Sequence, residues 1–543
     1  MASTPSAATI QKTAARLLGF ELRDPQLRAV RAVLSGRDTL ALLPTGAGKS
    51  AIYQVAGALI PGPTVVVSPL IALQQDQVAS LADTGLGAVG HNSAASAAER
   101  REAMADLADG DLEFLFVAPE QFASTETMER LKAAKPSLFV VDEAHCVSTW
   151  GHDFRPDYRR IDAALAELGH PPVLALTATA APPVRREIVE TLGLEDAAVI
   201  VGGFDRPELD LTVRRFTEEE AKRRALLEAA TEVSGSGIVY AATRKRVEEL
   251  VDALRDAGLG GVEGYHAGLA KGRREAAHEA FTAGECRIMV ATTAFGMGID
   301  KPDVRFVWHY DVADSIDSYY QEIGRAGRDG DPAEIVLFWR AEDLGLRRFF
   351  AAGEIPAEVF EQVAGIVAAD GALPVADLAA RTELSDTRLT AVLNRLSEAG
   401  VVVVDGDSVR VVTSDVDAGV AQAAAAEHAH GELVRSRVEM MRAYAETPGC
   451  RREFLLTYFG ETFSGPCGGC DNCRDTEAVA EAAAEADPDA PYPPGCAVEH
   501  PEWGRGSVLR IEDGERLVVL FDTVGYKTLS LAVVTDSDLL ARR

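Results

Sequence analysis

The chain has 543 residues, 47% of them hydrophobic and 25% charged, and a formal charge of −30. That length exceeds a single core and implies roughly three or four domains, and the acidic balance argues against a generally basic nucleic-acid coat while leaving room for a local basic groove. No stretch approaches the ~20 uninterrupted apolar residues of a membrane span, and seven cysteines, mostly clustered, suit a reducing compartment rather than a disulfide scaffold.

The first twenty residues are acid-poor and Ala/Ser-rich but lack an apolar run; Ile10, Leu17, Leu18 and Phe20 read as one face of a helix. From Thr39 to about Phe338, short apolar runs alternate with amphipathic helical stretches. TLALL, TVVVS, FLFVA, LFVVD and VLALT come first, and after Phe204 come GIVYA, RIMVAT, FVWHY and IVLF. β-rich runs spaced by helices predict parallel sheets buried on both faces. A break at GGFDRPELD (202–210) divides them into two α/β lobes in tandem, residues 1–204 and 205–350. Residues 351–415 read as three helices and a hairpin around Asp405-Gly406, the pattern of a winged helix. Its third helix offers Arg388 and Arg395 beside Asp386 and Glu398, hardly a basic reading head. A helical segment carrying a cysteine cluster follows (416–474), then an acidic Ala/Pro-rich linker (475–495). The runs SVLRI, RLVVLF and YKTLSL, the first pair turned by Asp513-Gly514, predict a small β-barrel over 496–543.

Three motifs carry chemistry. PTGAGKS (44–50) lies between a strand and a helix beginning near Ser50. The backbone N–H groups of such a loop cradle phosphates through Thr45, Gly46 and Gly48, Lys49 adds a mobile positive charge, and Ser50 is a Mg²⁺ ligand. Leu43 stands where the strict P-loop pattern has its first glycine. LFVVDEAH ends an apolar strand on two carboxylates: Asp142 to hold Mg²⁺ and Glu143 to orient the attacking water. SYYQEIGRAGRDG (318–330) supplies Gln321 and two arginines, Arg325 and Arg328, to meet the charge on a departing γ-phosphate; three apart, they would share a face if the segment were helical.

Cys450, Cys467, Cys470 and Cys473, spaced C-x16-C-x2-C-x2-C, can place four thiolates tetrahedrally around Zn²⁺, with Gly465, Gly468 and Gly469 permitting the knuckle. Four cysteines leave no open position, so the metal is structural. Cys146, Cys286 and Cys496 read as small incidental thiols. The stretch DEAHCVSTWGHDFRPDY (142–158) concentrates Trp150, Phe154 and Tyr158 with His152 and Arg155. Gly151 and Pro156 interrupt any helix there, so the spacing predicts a loop that stacks bases and contacts phosphates.

These stretches, with LGFELRDPQ, VVVSPLIALQQDQV, LTATA, FDRPEL, YHAGL and ATTAFGMGIDKPDVR, occur in the order found in RecQ-family superfamily 2 helicases. The chain from about Leu17 to Leu344 resembles that core. The resemblance implies two RecA-like lobes, ATP·Mg²⁺ in the cleft between them, DNA-stimulated ATP hydrolysis and 3′→5′ unwinding in repair or recombination. It implies that Arg23 and Gln26 read the adenine with Phe20 stacking on it, although Leu22 replaces the family's Phe. Thr177 and Thr179 would couple the lobes, and Thr292, Gly298 and Asp300 would line the cleft. DNA contacts are expected near Ser68, Ala118 and His266, and the aromatic-rich loop would link DNA binding to hydrolysis. CRREFLLTYFGE with PCGGCDNC resembles the RecQ zinc module. Here the winged helix precedes the cysteines, and nothing resembling the helical HRDC domain follows them. HPEWGRGSV and the later VLFD with GYKTL are similar to the Tudor-like barrel ending some superfamily 1 repair helicases, a protein-docking module. The implied setting is cytoplasmic and nucleoid-associated, with forked or tailed DNA as partner and no membrane. Two rivals stay open: an RNA-remodelling DEAH-type ATPase, and a zinc and winged-helix regulator whose ATPase core is a scaffold.

Overall fold

Each of the nine apolar runs becomes a parallel strand. The computed structural model describes residues 4–69, 71–91, 107, 112–148, 155–296, 299, 301–345, 347, 354–463, 465–475, 491–493, 496–512, 514–521, 524–537 and 539–542. The chain divides into two units, Met1–Ala341 with Ala443–Gly495, and Glu342–Arg442 with Cys496–Arg543.

In the first unit, strands β1 (Thr39–Leu42), β2 (Thr64–Val67), β3 (Ala88–His91), β4 (Phe114–Val117), β5 (Leu138–Val141), β6 (Val173–Thr177) and β7 (Ala198–Val201) form a seven-stranded sheet ordered β3-β4-β2-β5-β6-β1-β7. All its pairs are parallel; β1 registers Thr39 on Leu174 and Leu42 on Thr177. Every residue of β1, β2, β4 and β5 is buried, because helices cover both faces. A second parallel sheet follows, ordered β10-β11-β9-β12-β13-β8. It comprises β8 (Leu209–Arg215), β9 (Ser236–Tyr240), β10 (Val262–Tyr265), β11 (Ile288–Ala291), β12 (Val304–His309) and β13 (Ala333–Trp339). Its core gathers Leu226, Leu250, Val290, Phe306, Trp308 and Phe338. Residues 202–208 connect β7 of the first sheet to β8 of the second. Four strands were not predicted, β3, β7, β8 and β10, and they are the four sheet edges.

The cysteine-bearing segment returns to this unit. Helix Arg451–Tyr458 and the turn after it pack on the second lobe and on the hinge. Phe459 stacks on Phe204 with centroids 4.5 Å apart and 9° between planes, and packs against Tyr320 at 4.8 Å. Glu461 accepts from the Phe204 N–H at 2.9 Å, while Arg185 of the first lobe donates to the Phe459 carbonyl at 2.5 Å. Asp471 accepts from the Val213 N–H at 2.9 Å on edge strand β8 and pairs with buried Arg451.

The second unit contains the winged-helix pattern: helices Ala357–Asp370, Val375–Thr382 and Asp386–Glu398 over an antiparallel sheet of β14 (Ala372–Pro374), β16 (Ser408–Val411) and β15 (Val402–Asp405), with Phe360, Val363, Leu378, Leu389, Val392 and Leu396 inside. Asp405 pairs with Ser408, so the hairpin turns on Gly406 and Asp407 instead of Asp405-Gly406, with Gly406 at φ 56°. One helix, Val416–Glu446, opens the segment expected to be helical and stops before the cysteines, and its last residues belong to the first unit. Arg395 is held by Glu427 at 2.9 Å and Glu398 at 3.0 Å, whereas Arg388 is exposed. The tail forms a five-stranded antiparallel sheet ordered β20-β19-β18-β17-β21, from β17 (Ala497–His500), β18 (Gly504–Glu512), β19 (Arg516–Phe521), β20 (Gly525–Ser530) and β21 (Ala541–Arg542). The HPEW motif shapes its first turn: His500 Nδ1 accepts from the Glu502 and Trp503 N–H groups at 3.2 Å, and the two rings stack 4.1 Å apart. Asp513 lies outside the described residues.

Candidate active site: a nucleotide cleft between two lobes

In open parallel sheets, ligands bind at the carboxyl ends of the strands, and the motif residues converge there. β1 runs into Pro44–Lys49, and helix Ser50–Leu59 starts behind it, its first N–H groups facing the loop. Gly46 (φ 79°) and Gly48 (φ 72°) adopt left-handed backbone that a side chain would strain. Gln26 is 2% exposed and holds the loop from behind: its Nε2 donates to the Ala47 and Gly48 carbonyls, each at 2.9 Å. Its Oε1 accepts from the Arg23 N–H at 2.7 Å, so the residues expected to read adenine are already joined to the phosphate loop. Phe20 is 49% exposed and lies beyond Gly19, which ends the first helix, instead of on that helix's inner face.

Asp142 and Glu143 follow β5. The strand between β5 and β1 is β6, so Thr177 and Thr179 at its end stand between the carboxylates and the phosphate loop. Asp142 is 5% exposed; burial and the neighbouring Glu143 push its carboxyl up to about 6, against the pull of Lys49. Glu143 is a non-glycine residue in the left-handed region (φ 47°) and contacts His145 Nδ1 at 3.3 Å through Oε2. Burial opposes protonation of His145, yet Cys146 and Glu143 together hold it up at about 10. A polar chain then crosses the cleft. His145 Nδ1 meets Thr177 Oγ1 at 3.0 Å, Thr177 Oγ1 donates to the Thr179 carbonyl at 3.0 Å, and Gln321 Nε2 donates to Thr179 Oγ1 at 3.4 Å.

Gln321 sits on helix Ile316–Ile323, capped by Ser315. The helix stops at Gly324, so Arg325 and Arg328 lie in the following turn and do not share a helical face. They diverge as a result. Arg325 is buried and donates to the Gly296 carbonyl inside the second lobe. Arg328 donates to the Ile299 carbonyl at 2.7 Å and lies across the phosphate loop, where a Cβ on Gly46 would stand 3.0 Å from Arg328 Cγ. Thr292 accepts from the Ala294 N–H at 3.4 Å. Gly298 and Asp300 lie outside the described residues.

Of the aromatic-rich loop, Trp150, His152 and Phe154 also lie outside them. Arg155 donates from Nη1 to the Pro69 carbonyl at 3.0 Å and from its backbone N–H to the Cys146 carbonyl at 3.0 Å. Tyr158 is fully buried, with its hydroxyl donating to the Asp142 carbonyl at 3.1 Å. That burial makes Tyr158 a strut, not a base-stacking ring as its spacing from Phe154 suggests. Ser68 and His266, 0% and 5% exposed, and Ala118, 2% exposed, are sunk at strand ends. Contact with a DNA backbone there would fall to main-chain groups.

The four cysteine sulfurs all lie within 4.8 Å of one another. Cys450 heads helix Arg451–Tyr458 and accepts from the Glu453 N–H at 3.5 Å; Cys470 accepts from the Cys473 N–H at 3.4 Å. Gly465 (φ 92°) and Gly468 (φ 68°) turn the knuckle, and a Cβ on Gly469 would stand 3.2 Å from Arg452 Nη2. Thiols this close cannot all ionise by themselves. A hydrogen bond with Cys450 draws Cys470 down to about 4, the same bond holds Cys450 far above its ordinary value, and burial pushes Cys467 up to about 11. Four soft donors with tetrahedral reach and mutual repulsion fit Zn²⁺.

A phosphate cradle, a buried acidic pair and arginines from a second RecA-like lobe define a two-lobed, nucleotide-driven helicase motor. Family models match in the same order: DEAD/DEAH box helicase over residues 23–187, helicase conserved C-terminal domain over 221–330, and RecQ zinc-binding over 410–474. The probable ATP-dependent DNA helicase RecS of Bacillus subtilis is 33% identical over 86% of this chain and 92% of its own length. The same organism's ATP-dependent DNA helicase RecQ is 34% identical over 88% of this chain and 68% of its own. The chain spans 61% of RecQ from Pasteurella multocida, at 34% identity. Among solved structures, the DUF1998 helicase MrfA bound to DNA shares the fold at a TM-score of 0.53 and 17% identity, covering 77% of this chain and 64% of that one. The chain belongs to the RecQ family and is an ATP-dependent DNA helicase, with ATP, Mg²⁺ and Zn²⁺ as its nucleotide and metals.

The motifs did not single out Arg206, Phe459 or Glu461 as functional. FDRPEL and TYFGE contain them, but their partners are backbone groups and aromatic faces far away in sequence.

Proposed function

We propose that this helicase translocates 3′→5′ on single-stranded DNA, and that the loop 148–158 reports bound DNA to the ATPase site. One observation carries the reading: the far end of that loop is tied through Tyr158 to the carbonyl of Asp142 and through Arg155 to Pro69. A shift of Trp150 or Phe154 on stacking a base would reach the carboxylates through these tethers. In this reading Lys49 neutralises the β- and γ-phosphates, Glu143 orients water, and Arg325 and Arg328 meet the charge on the γ-phosphate. Ser50 and Asp142 would hold Mg²⁺, which when bound neutralises phosphate charge.

The test is Trp150→Ala and Phe154→Ala in the full chain. Basal ATPase and folding should be retained while stimulation by single-stranded DNA is lost; a variant that still unwinds normally sinks the reading. Stronger stimulation by RNA than by DNA of equal length would favour an RNA remodeller instead. Polarity is read from duplexes with 3′ or 5′ tails. Repair or recombination of forked DNA is the setting proposed, with the protein nucleoid-associated in the cytoplasm; no described helix is long and apolar enough to cross a membrane. The C-terminal sheet is proposed as a protein-docking module, and a pull-down in which deleting residues 496–543 loses no partner would overturn that.

A further inference from the structure

The side chain of Arg206, in the hinge between the lobes, ends where three segments meet. Its Nη2 donates to the Ala326 carbonyl at 2.7 Å and its Nη1 to the Gly324 carbonyl at 3.3 Å. Nη1 also stands 3.5 Å from the Thr45 carbonyl of the phosphate loop, at the long end of hydrogen bonding. Nε pairs with Glu208, which fixes the plane of the guanidinium; the two side chains are only 12% and 16% exposed.

The residue type suits the place. Helix Ile316–Ile323 ends at Gly324, so its last carbonyls lack intrahelical partners and carry the negative end of the helix dipole. A guanidinium offers five donors in a rigid fork and can serve two carbonyls of one lobe and one of the other together; an ammonium cannot hold that plane. The segments it joins are already in contact. A Cβ on Gly324 would stand 3.3 Å from Thr45 Cβ, and one on Gly46 would stand 3.0 Å from Arg328 Cγ. Arg206 therefore grips the turn that carries both arginines at the point where that turn rests on the phosphate loop.

We infer that Arg206 is a positioning residue for ATP hydrolysis, clamping residues 324–328 to the phosphate loop so that Arg328 and Arg325 reach the γ-phosphate when the lobes close. It rests on the reading that those two arginines act there. A misplacement of about 1 Å is enough to cost roughly a hundredfold in rate.

The experiment uses the full chain carrying Arg206→Ala, Arg206→Lys, Arg325→Ala, Arg328→Ala and the double variant Arg206→Ala/Arg328→Ala. For Arg206→Ala, kcat with single-stranded DNA should fall about 10- to 100-fold, while affinity for a non-hydrolysable ATP analogue and for single-stranded DNA changes less than about threefold. Lys, which keeps the charge but not the fork, should recover only part of the rate. Because Arg206 acts through Arg328 as well as Arg325, the loss in the double variant should fall well short of the product of the two single losses. A kcat within about twofold of the parent, a multiplicative double variant, or analogue affinity falling in step with kcat and with Tm each overturns the inference. If Arg325→Ala and Arg328→Ala both keep kcat, the reading of those arginines fails and the inference with it. If they lose it and Arg206→Ala does not, only the inference fails.

Discussion

Glu143 holds a conformation that L-residues avoid, at a cost of about 1–2 kcal/mol. The surrounding structure maintains it: Asp142 Oδ1 accepts from the Glu143 N–H at 2.9 Å, and His145 contacts the Glu143 carboxylate. The same His145 Nδ1 that Glu143 Oε2 contacts also meets Thr177 Oγ1 at 3.0 Å. Glu143→Gln keeps size and polarity but cannot take a proton. It should lower kcat by about 10²–10⁴ while leaving analogue binding intact, which equilibrium titration beside steady-state hydrolysis would check. Lys49→Ala should instead weaken nucleotide binding and abolish ATP hydrolysis and unwinding together, and a variant that kept its cellular role without hydrolysis would restore the scaffold alternative. Tyr158 marks where spacing misleads. It falls four residues after Phe154, yet its ring is interior and its hydroxyl serves Asp142, so Tyr158→Phe should destabilise by about 1 kcal/mol in chemical denaturation.

At the scale of elements, the sheet interiors were legible and the edges were not, for one reason. A strand buried on both faces must be apolar throughout, whereas β3, β7, β8 and β10 have a neighbouring sheet strand on one side only and mixed burial, so AVGH and VEGY look like connecting chain. The convergence of the phosphate-loop, carboxylate and cysteine motifs was legible because the chemistry they suit fixes residue type and spacing. The arginine turn was half legible: Gly324 and Gly327 announce close approach, but Gly324 also ends the helix that would have aligned Arg325 with Arg328. Arg206 was not, since backbone carbonyls more than a hundred positions away leave no mark in the sequence.

Two elements carry predictions. Cys470→Ser, or chelation of zinc, should release Asp471 from Val213 and Arg451, uncover β8, lower Tm by more than about 5 °C and open the 205–215 hinge to protease. In the long helix, burial, with Arg395 and Arg437 nearby, holds His430 down to about 4. Its folded value lies below its unfolded one near 6.5. The unfolded chain thus binds the extra proton between pH 6.5 and 4, so the contribution is complete above pH 6.5 and lost as pH falls toward 4. On the order of 3 kcal/mol is at stake. His430→Gln should flatten the dependence of stability on pH in that window, and an unchanged slope would refute the assignment.

For the whole molecule, the division of the chain changes which truncations are informative. Ending at residue 350 removes the segment that stacks Phe459 on Phe204 and covers Leu211, Tyr319 and Tyr320, so it should yield an aggregation-prone protein rather than a minimal motor. Removing 496–543 leaves both lobes and the zinc cysteines whole; ATPase with single-stranded DNA should stay within about twofold of the full chain. Size-exclusion profiles and hydrolysis rates would decide both.

The bridge between Leu211 and Cys470 has a consequence for biosynthesis. The second sheet ends in an edge strand whose cover is made more than 250 residues later, after the whole winged-helix segment has been synthesised. During translation at roughly 5–20 residues per second, that edge and the hinge aromatics wait uncovered for tens of seconds. A nascent chain paused anywhere between residues 345 and 470 should therefore be a chaperone client, and one paused beyond about residue 510, once the cysteines have cleared the ribosome, should not.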